Sequence, residues 1–110
     1  MQIESAQAVA NAEEIAVVDG VDVLFVGPRD LSHDLGVPGQ VTAPVFVDAL
    51  ERVRLAARKH RKACGLLVPD GAAAAAKAAE GWTFVTIGSD STLLATAAAA
   101  QLTRARRDLT

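Results

Sequence analysis

Two carboxylates stand where a chain of this pattern could do chemistry. Glu4 closes the short apolar run Met1–Glu4, and Asp30 lies just past a second run, Val21–Gly27. If both runs are neighbouring strands of a parallel sheet, both carboxylates project into the mouth at the strand ends. Two hard oxygen ligands so placed suit a divalent cation such as Mg²⁺ or Mn²⁺, with water or substrate oxygens completing the shell. On the residues alone two plainer readings stay open: Asp30 as the cap of a Leu31-Ser32 turn, and Glu4 as a charge near the N-terminus.

The turn Gly27-Pro28-Arg29-Asp30 offers backbone amides that could hold an anionic carboxylate. Pro28 has no N–H, so Arg29 and Asp30 must be the donors. Gly88-Ser89-Asp90-Ser91 resembles the last-loop phosphate site of a barrel, although Ser and Asp at a helix start are more simply caps. His33 falls in the loop near the mouth, whereas His60, between Lys59 and Arg61, is expected to be solvated. Cys64 lies in an apolar run and reads as a buried, inert thiol. Phe25, Phe46, Trp82 and Phe84 read as core.

These groups must be positioned by alternating short β-rich runs and longer helical patterns. The runs are Met1–Glu4, Val21–Gly27, Ala63–Val68 and Thr83–Ile87, each about the length of a buried strand. Ala6–Val18 carries a helical face and is closed by Asp19-Gly20. Thr42 can cap a helix with Pro44 in its first turn that runs to about Lys59, with Val45, Val47, Leu50, Val53 and Leu55 as its apolar surface. Asp70 can cap the alanine-rich segment that reaches Glu80 before Gly81, and a last helix runs from about Asp90 to Arg107. Continuous apolar strands imply a parallel sheet covered on both faces. With right-handed crossovers the βα string becomes half of an eightfold barrel or an open doubly wound sheet, and periodicity does not choose between them.

Composition narrows the function class. The chain has 110 residues, 51% hydrophobic and 22% charged, which suits a folded unit with a modest core. A formal charge of −2 argues against a nucleic-acid partner. The basic clusters Arg58, Lys59, Arg61, Lys62 and Arg104, Arg106, Arg107 read as solvated charge at helix ends. A single cysteine excludes an intrachain disulfide and suggests a reducing compartment, taken as the cytoplasm. No apolar run reaches the length of a membrane span, and the first residues lack the form of a signal peptide.

Three stretches carry a resemblance. Gln2-Ile3-Glu4-Ser5, Ala10 to Ile15, and Gly20-Val21-Asp22-Val23-Leu24-Phe25-Val26-Gly27-Pro28-Arg29-Asp30-Leu31-Ser32 resemble the HpcH/HpaI aldolases of the 4-hydroxy-2-oxoheptanedioate and 2-keto-3-deoxyglucarate type. The resemblance continues through Gly65-Leu66-Leu67 and Ile87 to Leu94, so it covers nearly the whole chain. It implies an α/β fold, the C-terminal half of a parallel (β/α)₈ barrel of the pyruvate/phosphoenolpyruvate type, with residues 1–110 forming one partial domain of the last four βα units. It implies Glu4 and Asp30 as ligands of Mg²⁺, Mn²⁺ or Co²⁺, and the backbone amides of the turn Gly27-Pro28-Arg29-Asp30 as the holder of the pyruvate carboxylate. Leu67 is implied as an apolar wall of the pocket.

The implied activity is class II aldol cleavage of a 4-hydroxy-2-oxo acid to pyruvate and an aldehyde, the metal acting as Lewis acid toward the enolate formed as C3–C4 breaks. No Schiff-base lysine is needed, which agrees with Lys59, Lys62 and Lys77 lying off the strand ends. The family's histidine-containing acid/base element and its substrate-binding arginine have no counterpart here, and Arg29 does not replace that arginine. The expectation is therefore an incomplete catalytic set, an N-terminal half supplied elsewhere, Met1 as an internal methionine of a longer frame, and self-association into a homo-oligomer. The competing expectation is a noncatalytic half-barrel that serves as an oligomerisation or binding module.

Overall fold

Residues 1–109 are described in a computed structural model of the chain. The elements run β1 (Gln2–Ile3), α1 (Ala6–Ala10), α2 (Ala12–Ala16), β2 (Val23–Val26), α3 (Pro28–Asp34), α4 (Pro44–Lys59), β3 (Ala63–Val68), α5 (Gly71–Ala79), β4 (Phe84–Ile87) and α6 (Asp90–Asp108). The strands form one parallel sheet in the order β1-β2-β3-β4. Sequential order with a helix in every crossover is the arrangement of a barrel rather than of a doubly wound sheet, whose order reverses at a switch point. The chain is a partial α/β barrel.

Only one face of the sheet is covered among the described residues. Ile3, Leu24, Val26, Cys64, Leu66 and Val68 pack against α4 and its neighbours. α4 supplies the other side of this core through Phe46, Ala49, Leu50, Val53, Ala56 and Ala57, a 3-4 spacing that makes one helical stripe. This corrects the expected stripe. Val45, Val47 and Leu55 point to solvent, and Phe46, one position away, takes the buried phase. On the sheet's other face Phe25 is half-buried while Leu67 and Phe84 are 42% and 48% exposed, so Phe84 is not core and the expected cover on both faces is absent. Trp82, Phe46 and Cys64 are buried as expected.

Three helical expectations change. The first helix breaks at Asn11 (φ −92°, ψ 10°) into α1 and α2, in keeping with the tendency of Asn to favour non-helical backbone. Ala43 rather than Thr42 is the N-cap of α4, and no side chain caps it; Pro44 at its first position starts the helix. Pro28–Asp34 is a helix, where a turn and a loop holding His33 were expected. Gly27 precedes Pro28, whose fixed φ suits a first helical residue, and Leu31 N–H closes the turn on the Gly27 carbonyl at 2.9 Å. The other boundaries hold to within a residue or two. Asp70 caps α5 by accepting from Ala73 N at 2.8 Å, and Gly81 follows with φ +98°. No described residue of α6 is buried, and no helix of the described residues is long and apolar enough to cross a membrane.

Candidate metal centre and substrate mouth

The strand register aligns the mouth. Ile3 pairs with Val26, Val26 with Leu66, and Leu66 with Val85. The next residue on each strand line, Glu4, Gly27, Leu67 and Thr86, therefore forms a row across the C-terminal ends of the strands, on the sheet face away from α4. Gly27 N–H still donates to the Ile3 carbonyl at 3.2 Å, which keeps β1 and β2 in register up to the mouth.

Glu4 lies over Gly27. A β-carbon at residue 27 would sit 2.5 Å from Glu4 Oε1 and 2.8 Å from its Cγ, so glycine is what allows the half-buried carboxylate to reach across to β2. Asp30 is in the first turn of α3, on the element that leaves that same glycine, and is exposed. Neither carboxylate has a hydrogen bond or ion pair among the described residues. Asp30 does not cap its helix, which removes one of the plainer readings. Two carboxylates with no partner among the described residues, one laid over Gly27 and the other in the first turn of the helix that leaves it, are of the donor type that suits a hard divalent cation. Among the described residues no group of three or more His, Cys, Asp or Glu gathers, so the protein offers two ligands and the remaining positions would fall to water or substrate oxygens.

Leu67 stands in the row as an exposed apolar residue, and Arg29 points to solvent from α3. Pro28, Arg29 and Asp30 are the first three residues of α3; a helix has no internal acceptor for the first N–H groups, so those of Arg29 and Asp30 are open to an external one. Gly88–Ser91 is spent on capping. Ser89 Oγ accepts from Thr92 N at 3.2 Å, Thr92 Oγ1 accepts from Ser89 N at 2.8 Å, and Asp90 accepts from Ser91 N at 2.7 Å. His33 is exposed in the last turn of α3. His60 caps the C-terminus of α4 away from the mouth, and its Nε2 is buried without a hydrogen bond, 4.0 Å from Glu13, rather than solvated.

Two supports went unread in the sequence. Asp34 at the end of α3 accepts from Ala6 N at 2.7 Å, while Ser5 accepts from Ala8 N at 3.1 Å, so the segment after Glu4 is tied to the helix that carries Asp30. Ser32, fully buried, donates to the Arg29 carbonyl at 2.8 Å and accepts from Gly39 N at 3.0 Å, fixing α3 to the following loop. Behind the row, Phe25 and Phe84 meet edge to face, with centroids 6.0 Å apart, above Gly65. The perturbed titrations lie elsewhere: hydrogen bonding to Lys59 holds Glu13 below the ordinary carboxylate range, and Arg54 does the same to Glu51.

The fold and this mouth define a class, a parallel α/β barrel segment with acidic residues at its C-terminal strand ends. Residues 1–97 match the family model described as HpcH/HpaI aldolase/citrate lyase, and the chain belongs to that family. It is 42% identical over 106 residues to the hydroxypyruvate/pyruvate aldolase of Delftia acidovorans, covering 96% of this chain and 39% of that protein. It is also 42% identical over 90 residues to the 5-keto-4-deoxy-D-glucarate aldolase of Citrobacter koseri, covering 82% and 35%. Its fold superposes with TM-score 0.92 and 37% identity on a HpcH/HpaI aldolase/citrate lyase family protein from Burkholderia cenocepacia, covering 96% of this chain and 41% of that one. The chain thus spans well under half the length of these relatives.

Proposed function

We propose that this chain supplies the last four βα units, and with them the metal ligands, of a class II aldolase that cleaves 4-hydroxy-2-oxo acids to pyruvate and an aldehyde. The observation that carries the reading is the unpaired Glu4 carboxylate laid over Gly27 beside α3 and its equally unpaired Asp30. The naming of both relatives as aldolases, one of them for pyruvate, supports the same reading.

Glu4 and Asp30 would hold Mg²⁺, Mn²⁺ or Co²⁺ and offset its charge. A bound cation supplies Lewis acidity toward the oxygens of the 2-oxo acid. The amides of Arg29 and Asp30 donate to the substrate carboxylate, with Gly27 and Pro28 shaping their turn, and Leu67 forms an apolar wall. With Glu4 and Asp30 committed to the cation, no other group among the described residues is assigned as proton acceptor for the hydroxyl, and the general base is assigned to the other units of the barrel. A homo-oligomer in the cytoplasm fits the exposed apolar surface and the single buried thiol.

The open sheet face favours a second reading, a noncatalytic half-barrel that serves as an association module. One calorimetric experiment separates the two: titration of Mn²⁺ with and without oxalate into the chain and into a Glu4→Ala, Asp30→Ala variant. Binding that tightens with oxalate and is lost in the variant supports the aldolase site. A folded wild-type chain that takes up no Mn²⁺ even with oxalate rejects it in favour of the module.

A further inference from the structure

At the opposite end of the strands from Glu4, a cavity of about 680 Å³ opens between the ends of α4 and α5. Its wall includes Arg54 and Arg58 from successive turns of α4, Arg61 and Lys62 from the link to β3, and Glu80 from the end of α5. The balance of charge there is uneven. Arg54 is held by Glu51 through bonds of 2.9 and 2.6 Å, and Glu80 is held by Lys77 at 2.7 Å. Arg58, Arg61 and Lys62 have no ion pair among the described residues, although Lys59 beside them is paired with Glu13 at 2.7 Å. Three uncompensated cations therefore surround a space within the size range of small-molecule sites.

Cations at a helix C-terminus ordinarily offset its dipole, and Arg58 needs no further reason to be there. Arg61 does. Lys62 N–H bonds the Ala57 carbonyl at 2.9 Å and Arg61 N–H bonds the Arg58 carbonyl at 3.1 Å, which is the Schellman closure of α4. Arg61 occupies the left-handed position of that closure with φ 55°, alone among the described non-glycine residues in having a positive φ. Glycine is the usual occupant because a β-carbon there crowds the following carbonyl oxygen. The helix end would close better with glycine, so the guanidinium is kept against backbone preference, a pattern found at functional positions.

We propose that this cavity is an oxyanion site for a phosphate group, held by Arg58, Arg61 and Lys62. Guanidinium groups match the geometry of phosphate oxygens and bind them bidentately, and Lys62 adds a point charge. The ligand is either free phosphate or the phosphate of a small organic monoester.

The test is calorimetric titration of inorganic phosphate and of glycerol phosphate, at fixed ionic strength, into the 110-residue chain and into Arg58→Gln, Arg61→Gly and Arg104→Gln variants. Saturable binding to the wild type is expected, weakened about tenfold in Arg58→Gln and Arg61→Gly and unchanged in Arg104→Gln, whose site lies on α6. The ligand-free Arg61→Gly chain should melt higher than the wild type, so weaker binding there is not a loss of fold. Tighter binding of glycerol phosphate than of phosphate assigns the site to an organic monoester; equal binding assigns it to the free ion. Absence of saturable binding, or equal weakening by Arg104→Gln, overturns the proposal.

Discussion

The two faces of the sheet share four strands and almost nothing else. The face under α4 is a dry, close-packed layer in which Ile3, Leu24 and Val53 are fully buried. The face of the mouth holds a half-buried carboxylate, two exposed apolar residues and two glycines that each make room for a neighbour's side chain. Stability is concentrated on the first face, and groups free to bind something stand on the second. In a closed barrel the second face lines the interior and is packed by side chains of the other strands, leaving only its C-terminal rim open to ligands; in this chain the exposure of Leu67 and Phe84 marks where that packing is missing among the described residues.

The strongest way to break the comparison is to truncate a leucine on each face. Leu24→Ala removes a fully buried side chain facing α4 and should cost about 3 kcal/mol by chemical denaturation. Leu67→Ala removes a side chain 42% exposed on the other face and should cost less than about 1 kcal/mol. Equal losses would mean that the mouth face is covered in solution by another polypeptide.

The glycines sharpen the comparison within the mouth face. A β-carbon at residue 65 would sit 2.6 Å from the Phe84 carbonyl oxygen and 2.8 Å from the Phe25 ring. Backbone cannot move aside cheaply, so Gly65→Ala should cost about 2 kcal/mol. At residue 27 the obstacle is the movable end of Glu4, so Gly27→Ala should leave the denaturation midpoint nearly unchanged while weakening Mn²⁺ binding measured by calorimetry. A large stability loss in Gly27→Ala would show that Glu4 is fixed in place and part of the packing.

This contrast also explains what the sequence could tell. The strands were legible because each is a short apolar run, and Glu4 and Asp30 stood out as carboxylates at the ends of such runs, although a cap and a terminal charge read equally well there until the structure showed that Asp30 caps nothing. Phe84 was misplaced because hydrophobicity marks a strand without saying which face has a cover. α3 was missed because Pro28–Asp34 has only Leu31 and Ser32 buried, too few for a helical period, and its Ser, Asp and Pro read equally well as a turn. The hydrogen bond from Ala6 N to Asp34 joins residues distant in sequence, and no local pattern announces it.

The smallest expected effect lies behind the covered face, where α2 meets α4. Glu13 accepts from Lys59 Nζ at 2.7 Å and its carboxyl is held below the ordinary range, chiefly by that hydrogen bond and then by the ammonium charge. A carboxylate whose folded pKa is depressed adds stability above its unfolded pKa, and that contribution is lost as pH falls through the folded value. With Glu13 58% exposed, water and salt screen the pair, so its contribution is small. Glu13→Gln should therefore lower the thermal midpoint slightly at pH 7 in low salt. The gap to wild type should close as pH falls through the carboxylate range, and close equally at neutral pH when salt is raised. A gap that persists in acid would place the role of Glu13 in packing between α2 and α4, and the ion pair would then be a consequence of that packing.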